Sequence, residues 1–179
     1  KLKHLNFNMS FELTIVVPIY NESENMERLA ETLQDYCNKA SVPTKVLFVD
    51  DGSKDDSLKL IKMACSREEA FSYISFDTNY GLSAAIKAGF DNVQTNLTGY
   101  IDADLQTDPN DFEILLEHIN EFQLVTGVRA NRKDSFVKNM SSTIANSIRR
   151  SFTKDGMDDT GCPLKIIHTP YAKRIPMFK

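Results

Sequence analysis

The chain has 179 residues, 41% hydrophobic and 26% charged, with a formal net charge of -4. That suits one globular domain long enough to bury a core, and it excludes disordered and fibrous classes. Apolar runs such as LTIVVPIY (13–20) are too short to cross a bilayer, and no secretory signal opens the chain.

The first eight residues, KLKHLNFN, show no period and read as a leader or cloning remnant; residues 9–179 read as a single domain cut short in its last helix. ELTIVVPIY (12–20) is apolar and β-branched, a buried strand. ESENMERLAETLQDYC (22–37) follows as a helix with Met26, Leu29, Leu33, Tyr36 and Cys37 at helical spacing. KVLFVDD (45–51) is a second buried strand, and SKDDSLKLIKMACSREE (53–69) a helix with Leu58, Ile61, Ala64 and Cys65 inward. FSYISF (71–76) makes a third strand, GLSAAIKAGFDNV (81–93) a small-residue helix and LTGYIDAD (97–104) a fourth strand. Asp108 and Pro109 read as N-cap and first residue of a helix carrying Phe112, Leu115, Leu116 and Ile119. FQLVTGVR (122–129) is a fifth strand, residues 136–152 read as helical, CPLKIIH (162–168) as a last strand, and Thr169-Pro170 opens a further helix. Strands alternating with helices predict an α/β fold with a mostly parallel sheet covered on both faces.

The cysteines Cys37, Cys65 and Cys162 are widely spaced and odd in number, which suits reduced cytosolic thiols rather than disulfides or zinc. Charge is unevenly spread: residues 1–113 hold 10 Lys/Arg against 19 Asp/Glu, and residues 114–179 hold 11 against 6. Arg129 to Lys154 contain seven Lys/Arg and one acid, Asp134. Such a segment is either a solvated helix face or a surface for phosphates and anionic lipid headgroups. Nucleic acid is not expected, for want of a recognition module.

In parallel sheets, ligands bind outside the carboxyl ends of the strands. Here those ends carry Pro18, Tyr20, Asn21 and Glu22; Asp50 to Ser53; Asp77 to Gly81; and Asp102, Asp104, Gln106 and Asp108. In an extended chain Asp102 and Asp104 project from one face, with Gln106 in parity. Such hard oxygen donors suit Mg²⁺ or Mn²⁺, against the plainer reading of loop and capping carboxylates. Asp50 and Asp51 are either turn formers before Gly52 or acceptors for a base edge or ribose. VLFVDDGS also admits a different class, the phosphoacceptor site of a receiver-like regulatory module, which leaves DADLQ and the basic segment unexplained.

VVPIYNESENMERL (16–29), VLFVDDGSKDDS (46–57), NYGLSAAIKAGF (79–90) and YIDADLQTDPND (100–111) resemble successive motifs of the family 2 inverting glycosyltransferases with a GT-A, Rossmann-like fold. DADLQ, then TGVRANRKDSFVKNMSSTIANSIRRSFT (126–153) and DDTGCPLKI (158–166), resemble the polyprenyl-phosphate branch, dolichyl and undecaprenyl, especially its aminoarabinose-type transferases. The resemblance implies a UDP- or GDP-sugar donor, a lipid-phosphate acceptor and Mg²⁺ or Mn²⁺. It also implies the cytoplasmic face of a membrane, with membrane contact through a C-terminal part that is missing here, and a possible homo-oligomer. It places Pro18, Tyr20 and Glu22 in the nucleotide loop, Asp50 at base or ribose with Asp51 close by, and Asn79 and Gly81 near the nucleotide. Asp102, Asp104 and Gln106 match the metal and diphosphate site; Arg129, Arg132 and Lys138 match basic positions near donor or acceptor phosphate. Asp159 matches an acid beside the transferred sugar, while Leu82 and Ser83 depart from the bulkier polar residues of many relatives. A family 2 enzyme acting on a saccharide hydroxyl, with Asp159 as base, is the alternative within the family; a module of the same fold that binds UDP or GDP with a metal and transfers nothing is the non-enzymatic one.

Overall fold

The computed structural model describes residues 11–128 and 162–176. Six strands form one sheet: β1 (Leu13–Ile19), β2 (Thr44–Asp50), β3 (Phe71–Ser75), β4 (Leu97–Tyr100), β5 (Leu124–Thr126) and β6 (Lys165–His168), in the order β3-β2-β1-β4-β6-β5. β1 pairs in parallel with β2 and β4, and β2 with β3. β6 is antiparallel to both its neighbours, β4 and β5. The mostly parallel α/β sheet expected from the sequence is present. Its order differs from the 2-1-3-4-5 arrangement of flavodoxin-like receiver folds, which removes the receiver-like alternative.

Every residue of β1 is buried, because the strand is covered on both sides. Successive side chains alternate between two cores. Leu13, Ile15, Val17 and Ile19 face one, with Val46 and Phe48 of β2. Val16 faces the other, with Leu47 and Val49. The first core is roofed by α1 (Met26–Lys39), α2 (Ser57–Arg67) and α4 (Phe112–His118), the second by α3 (Leu82–Asn92) and α5 (Thr169–Ala172). The α1 stripe is as expected: Met26, Leu29, Leu33 and Tyr36 are buried. In α2 only Ser57 and Ile61 are fully buried, while Leu58, Ala64 and Cys65 are half-buried.

Small residues let α3 lie close to the sheet. A Cβ on Gly89 would stand 2.3 Å from Cγ1 of Val16 on β1. On the other face, the Tyr36 hydroxyl donates to Glu113 at 2.9 Å, linking α1 to α4. Asp108 caps a 3-10 turn (Pro109–Asp111) that runs into α4, accepting the Asn110 amide at 2.9 Å, as its pairing with Pro109 predicts.

One expectation needs correction. The fourth strand does not run on to Asp104 but ends at Tyr100. The last strand, whose direction the sequence left open, is antiparallel to both its neighbours, since apolar content reports burial and not direction. The helix expected over 136–152 lies outside the described residues.

Candidate active site at the sheet rim

Strand order reverses between β1 and β4: β2 and β3 were added on one side of β1, and β4 returns to the other. Such a switch point, at the carboxyl ends of β1 and β4, is where topology predicts a crevice between the loops that can admit a ligand. The polar strand ends expected from the sequence all lie along this rim.

The β1 and β2 loops are laced together. Asn21, with φ of 54°, donates its amide to Ser53 Oγ at 3.0 Å and accepts the Lys54 amide through Oδ1 at 2.8 Å. A left-handed residue here suits asparagine, whose short side chain tolerates that region. The Glu22 amide donates to Ser57 Oγ at 2.8 Å, and the Glu22 carboxylate accepts from Asn25 at 2.8 Å. Asp55 accepts the amides of Ser23 and Ser57, both at 3.0 Å. Desolvation pushes the Asp55 carboxyl up, but the hydrogen bonds from Ser57 and Ser23 together outweigh it and hold the group well below the usual carboxylate range. Pro18 is buried near the end of β1, and Tyr20, directly after the strand, is exposed.

Asp50 and Asp51 are 1% and 2% exposed. Asp50 accepts the Ser53 amide at 3.1 Å and the Ser75 hydroxyl at 2.9 Å, joining β2 to β3. Asp51 points into the loop after β3 and takes the amides of Tyr80 at 2.7 Å and Gly81 at 2.9 Å, with Asn79 Nδ2 at 2.9 Å. Its carboxylate is occupied by that loop. Gly52 (φ 67°) makes the approach possible, since a Cβ there would meet the Thr78 carbonyl carbon at 2.3 Å. The structure therefore brings Asp51, Asn79 and Gly81 into one bonded cluster.

After β4 the chain leaves extended geometry. Asp104 Oδ1 accepts the amide of Gln106 at 3.0 Å, a side-chain-closed turn that carries Leu105 to φ 59°. The parity expected for Asp104 and Gln106 is thus lost; Gln106 contributes its amide, and its side chain is exposed. Asp102 is half-buried and folds over Tyr100, whose hydroxyl donates to Asp102 Oδ1 at 2.5 Å. The Tyr100 hydroxyl is pushed far above the ordinary phenol range, first by burial, then by the bond to Asp102 and the charges of Asp102 and Asp104. It stays a donor.

Each of these two carboxylates keeps a second oxygen, Oδ2, with no hydrogen-bond partner among the described residues. Hard, anionic oxygens left open in this way fit Mg²⁺ or Mn²⁺. Among the described residues no group of three His, Cys, Asp or Glu side chains could hold an ion. A cation held by these carboxylates would take its other ligands from a bound molecule.

Sequence reasoning missed Tyr100 and Lys165. Lys165 lies opposite Tyr100 in the β4–β6 register, with its ammonium 5.9 Å from the centroid of the Tyr100 ring, and it donates to the Cys162 carbonyl. The two-residue spacing of Tyr100 and Asp102 was the available signal for the first; nothing local signalled the second. Arg129, Arg132, Lys138 and Asp159 lie outside the described residues.

Residues 14–174 match the family described as Glycosyl transferase family 2. An undecaprenyl-phosphate 4-deoxy-4-formamido-L-arabinose transferase of Pectobacterium atrosepticum is 36% identical over 155 residues, 86% of this chain and 47% of its own length. That of Serratia proteamaculans is 34% identical over 156 residues, 86% and 48% of the two chains. The chain spans about half the length of the curated relatives it matches. Among solved structures, a mannosyltransferase from Pyrobaculum calidifontis in complex with GDP-Man and Mn²⁺ superposes with a TM-score of 0.67 at 16% identity, over 96% of this chain and 50% of that one. A glucosyl-3-phosphoglycerate synthase of Mycobacterium tuberculosis, with Mn²⁺, UDP-glucose and phosphoglyceric acid, gives 0.69 at 13% identity, over 90% and 57%. At such identities these two report the GT-A fold alone.

Proposed function

The chain belongs to glycosyl transferase family 2, and from that premise we propose that it transfers a sugar, with inversion, from a nucleoside-diphosphate sugar to a polyprenyl phosphate at the cytoplasmic face of a membrane. The observation that carries the reading is the identity of 36% to an undecaprenyl-phosphate transferase over most of this chain. The polar rim at the β1–β4 switch supports a nucleotide donor, with Tyr20 directly after β1 and Asp50 at the end of β2.

Asp102 and Asp104 would hold Mg²⁺ or Mn²⁺, with Gln106 beside them. Such an ion neutralises a diphosphate and makes it a better leaving group. The acceptor is a phosphate monoester with a second pKa of about 6, mostly dianionic at neutral pH, so its oxygen attacks without a protein base. As that oxygen bonds to the anomeric carbon, the bond to the diphosphate breaks and its electron pair leaves with the nucleotide. The chain's own residues then position rather than exchange protons. Asp51 holds the loop of Asn79, Tyr80 and Gly81 against the rim. Lys165 supplies positive charge beside Tyr100. Arg129, Arg132 and Lys138 would align phosphates, and Asp159 would orient the sugar. Among the described residues no helix is long and apolar enough to cross a membrane.

The test is to incubate the full-length protein with Mn²⁺, a panel of UDP- and GDP-sugars, and undecaprenyl phosphate, and to weigh the lipid product. Glycosyl-phosphoryl-lipid is expected with one donor, and Asp104→Ala should lower its rate by at least about a hundredfold. Product on a saccharide hydroxyl and none on the lipid would replace the acceptor assignment.

A further inference from the structure

We propose that Tyr100 is a positioning residue for the cation site, its hydroxyl fixing Oδ1 of Asp102 so that Oδ2 is presented to the ion. The inference rests on the reading of Asp102 and Asp104 as the cation ligands. Tyr100 is 8% exposed and packs in the second core with Val16, Leu47 and Phe90, so its ring cannot swing. It is the last residue of β4, paired in register with Val16 on one side and Lys165 on the other. The Lys165 ammonium lies against the ring at 5.9 Å and is itself tied to the Cys162 carbonyl. The hydroxyl is thereby a fixed point on a rigid strand.

Asp102 is not on that strand. It follows Ile101 into the turn that Leu105 bends through the left-handed region. A carboxylate in such a turn would rotate about two torsions and could offer either oxygen or both. The 2.5 Å bond from Tyr100 takes one oxygen and sets the plane of the group. Asp104 is restrained in the parallel way, its Oδ1 accepting the Gln106 amide at 3.0 Å. Both carboxylates are therefore held through Oδ1 and open through Oδ2. A packing role alone needs the ring and not the hydroxyl, because phenylalanine would fill the same space. Partners of ligating carboxylates that orient them in this way change metal affinity when removed.

The experiment titrates Mn²⁺, alone and with UDP or GDP, into the full-length protein and into its Tyr100→Phe and Asp102→Asn variants, reading free Mn²⁺ by electron paramagnetic resonance. Melting temperatures are taken in EDTA. Tyr100→Phe should raise the Mn²⁺ dissociation constant about tenfold, while its metal-free melting temperature moves by no more than about 4 °C. Asp102→Asn should lose the site. An unchanged dissociation constant in Tyr100→Phe, with Asp102→Asn defective, overturns the role of Tyr100 and leaves the cation reading standing. No Mn²⁺ binding by the parent, or full binding by Asp102→Asn, overturns both.

Discussion

Asp50 and Asp51 are adjacent and equally buried, yet they hold different neighbours. Asp50 joins β2 to β3 through Ser53 and Ser75, whereas Asp51 collects three N–H donors from residues 79 to 81. In the sequence both read as turn formers or nucleotide contacts; which way each points was not legible, because strand alternation separates neighbours only once the sheet's neighbours are known. Asp51→Ala strands the Tyr80 and Gly81 amides, and the loss is expected to cost about 1–3 kcal/mol in urea unfolding. It should also weaken UDP or GDP binding, since the loop would no longer be held at the rim. A variant as stable as the parent would mean that water takes over those amides. The acids after β4 suggested a cation site by their type and crowding, but their geometry was not legible. Asp104 closes a turn on Gln106, and a local hydrogen bond of that kind prevails over strand parity.

α3 shows what small residues do for an element. GLSAAIKAGF reads as a helix poor in bulk, and the reason appears only in its packing. Gly89 lies so close to Val16 that an added methyl would overlap it. Gly89→Ala is expected to destabilise the fold by about 1–3 kcal/mol despite its better helix propensity, since overpacking outweighs propensity here. At about 2–4 °C per kcal/mol, a thermal melt should read the loss directly; a higher melting temperature would show that α3 can shift away from β1. β1, β2 and α1 were readable because burial on both faces, or on one stripe, writes itself into apolar runs and helical spacing. β6 was readable as a strand but not as an antiparallel one, since its direction depends on how the chain returns from β5.

At the scale of the molecule, the sheet order decides where a ligand can enter. The crevice follows from the reversal at β1 and β4 and could not be placed before the order was known. A nucleotide seated there with its cation touches the ends of several elements at once, so its binding energy should appear as global stability. At a concentration a hundred times its dissociation constant, the matching nucleotide with Mn²⁺ should add about 2.7 kcal/mol, a rise of roughly 5–10 °C in melting temperature. Comparing UDP with GDP then names the donor base, and a flat response to both would speak against a nucleotide site. The same topology has one more result. β5 ends and β6 begins side by side, with the Gly127 amide donating to the Leu164 carbonyl at 2.9 Å and Thr126 in register with Lys165. The described chain thus stops and resumes on paired strands, with β6 lying beside Tyr100 of β4. Both strands are locked in register, so the frame they set beside Tyr100 belongs to the sheet and not to the residues that join them.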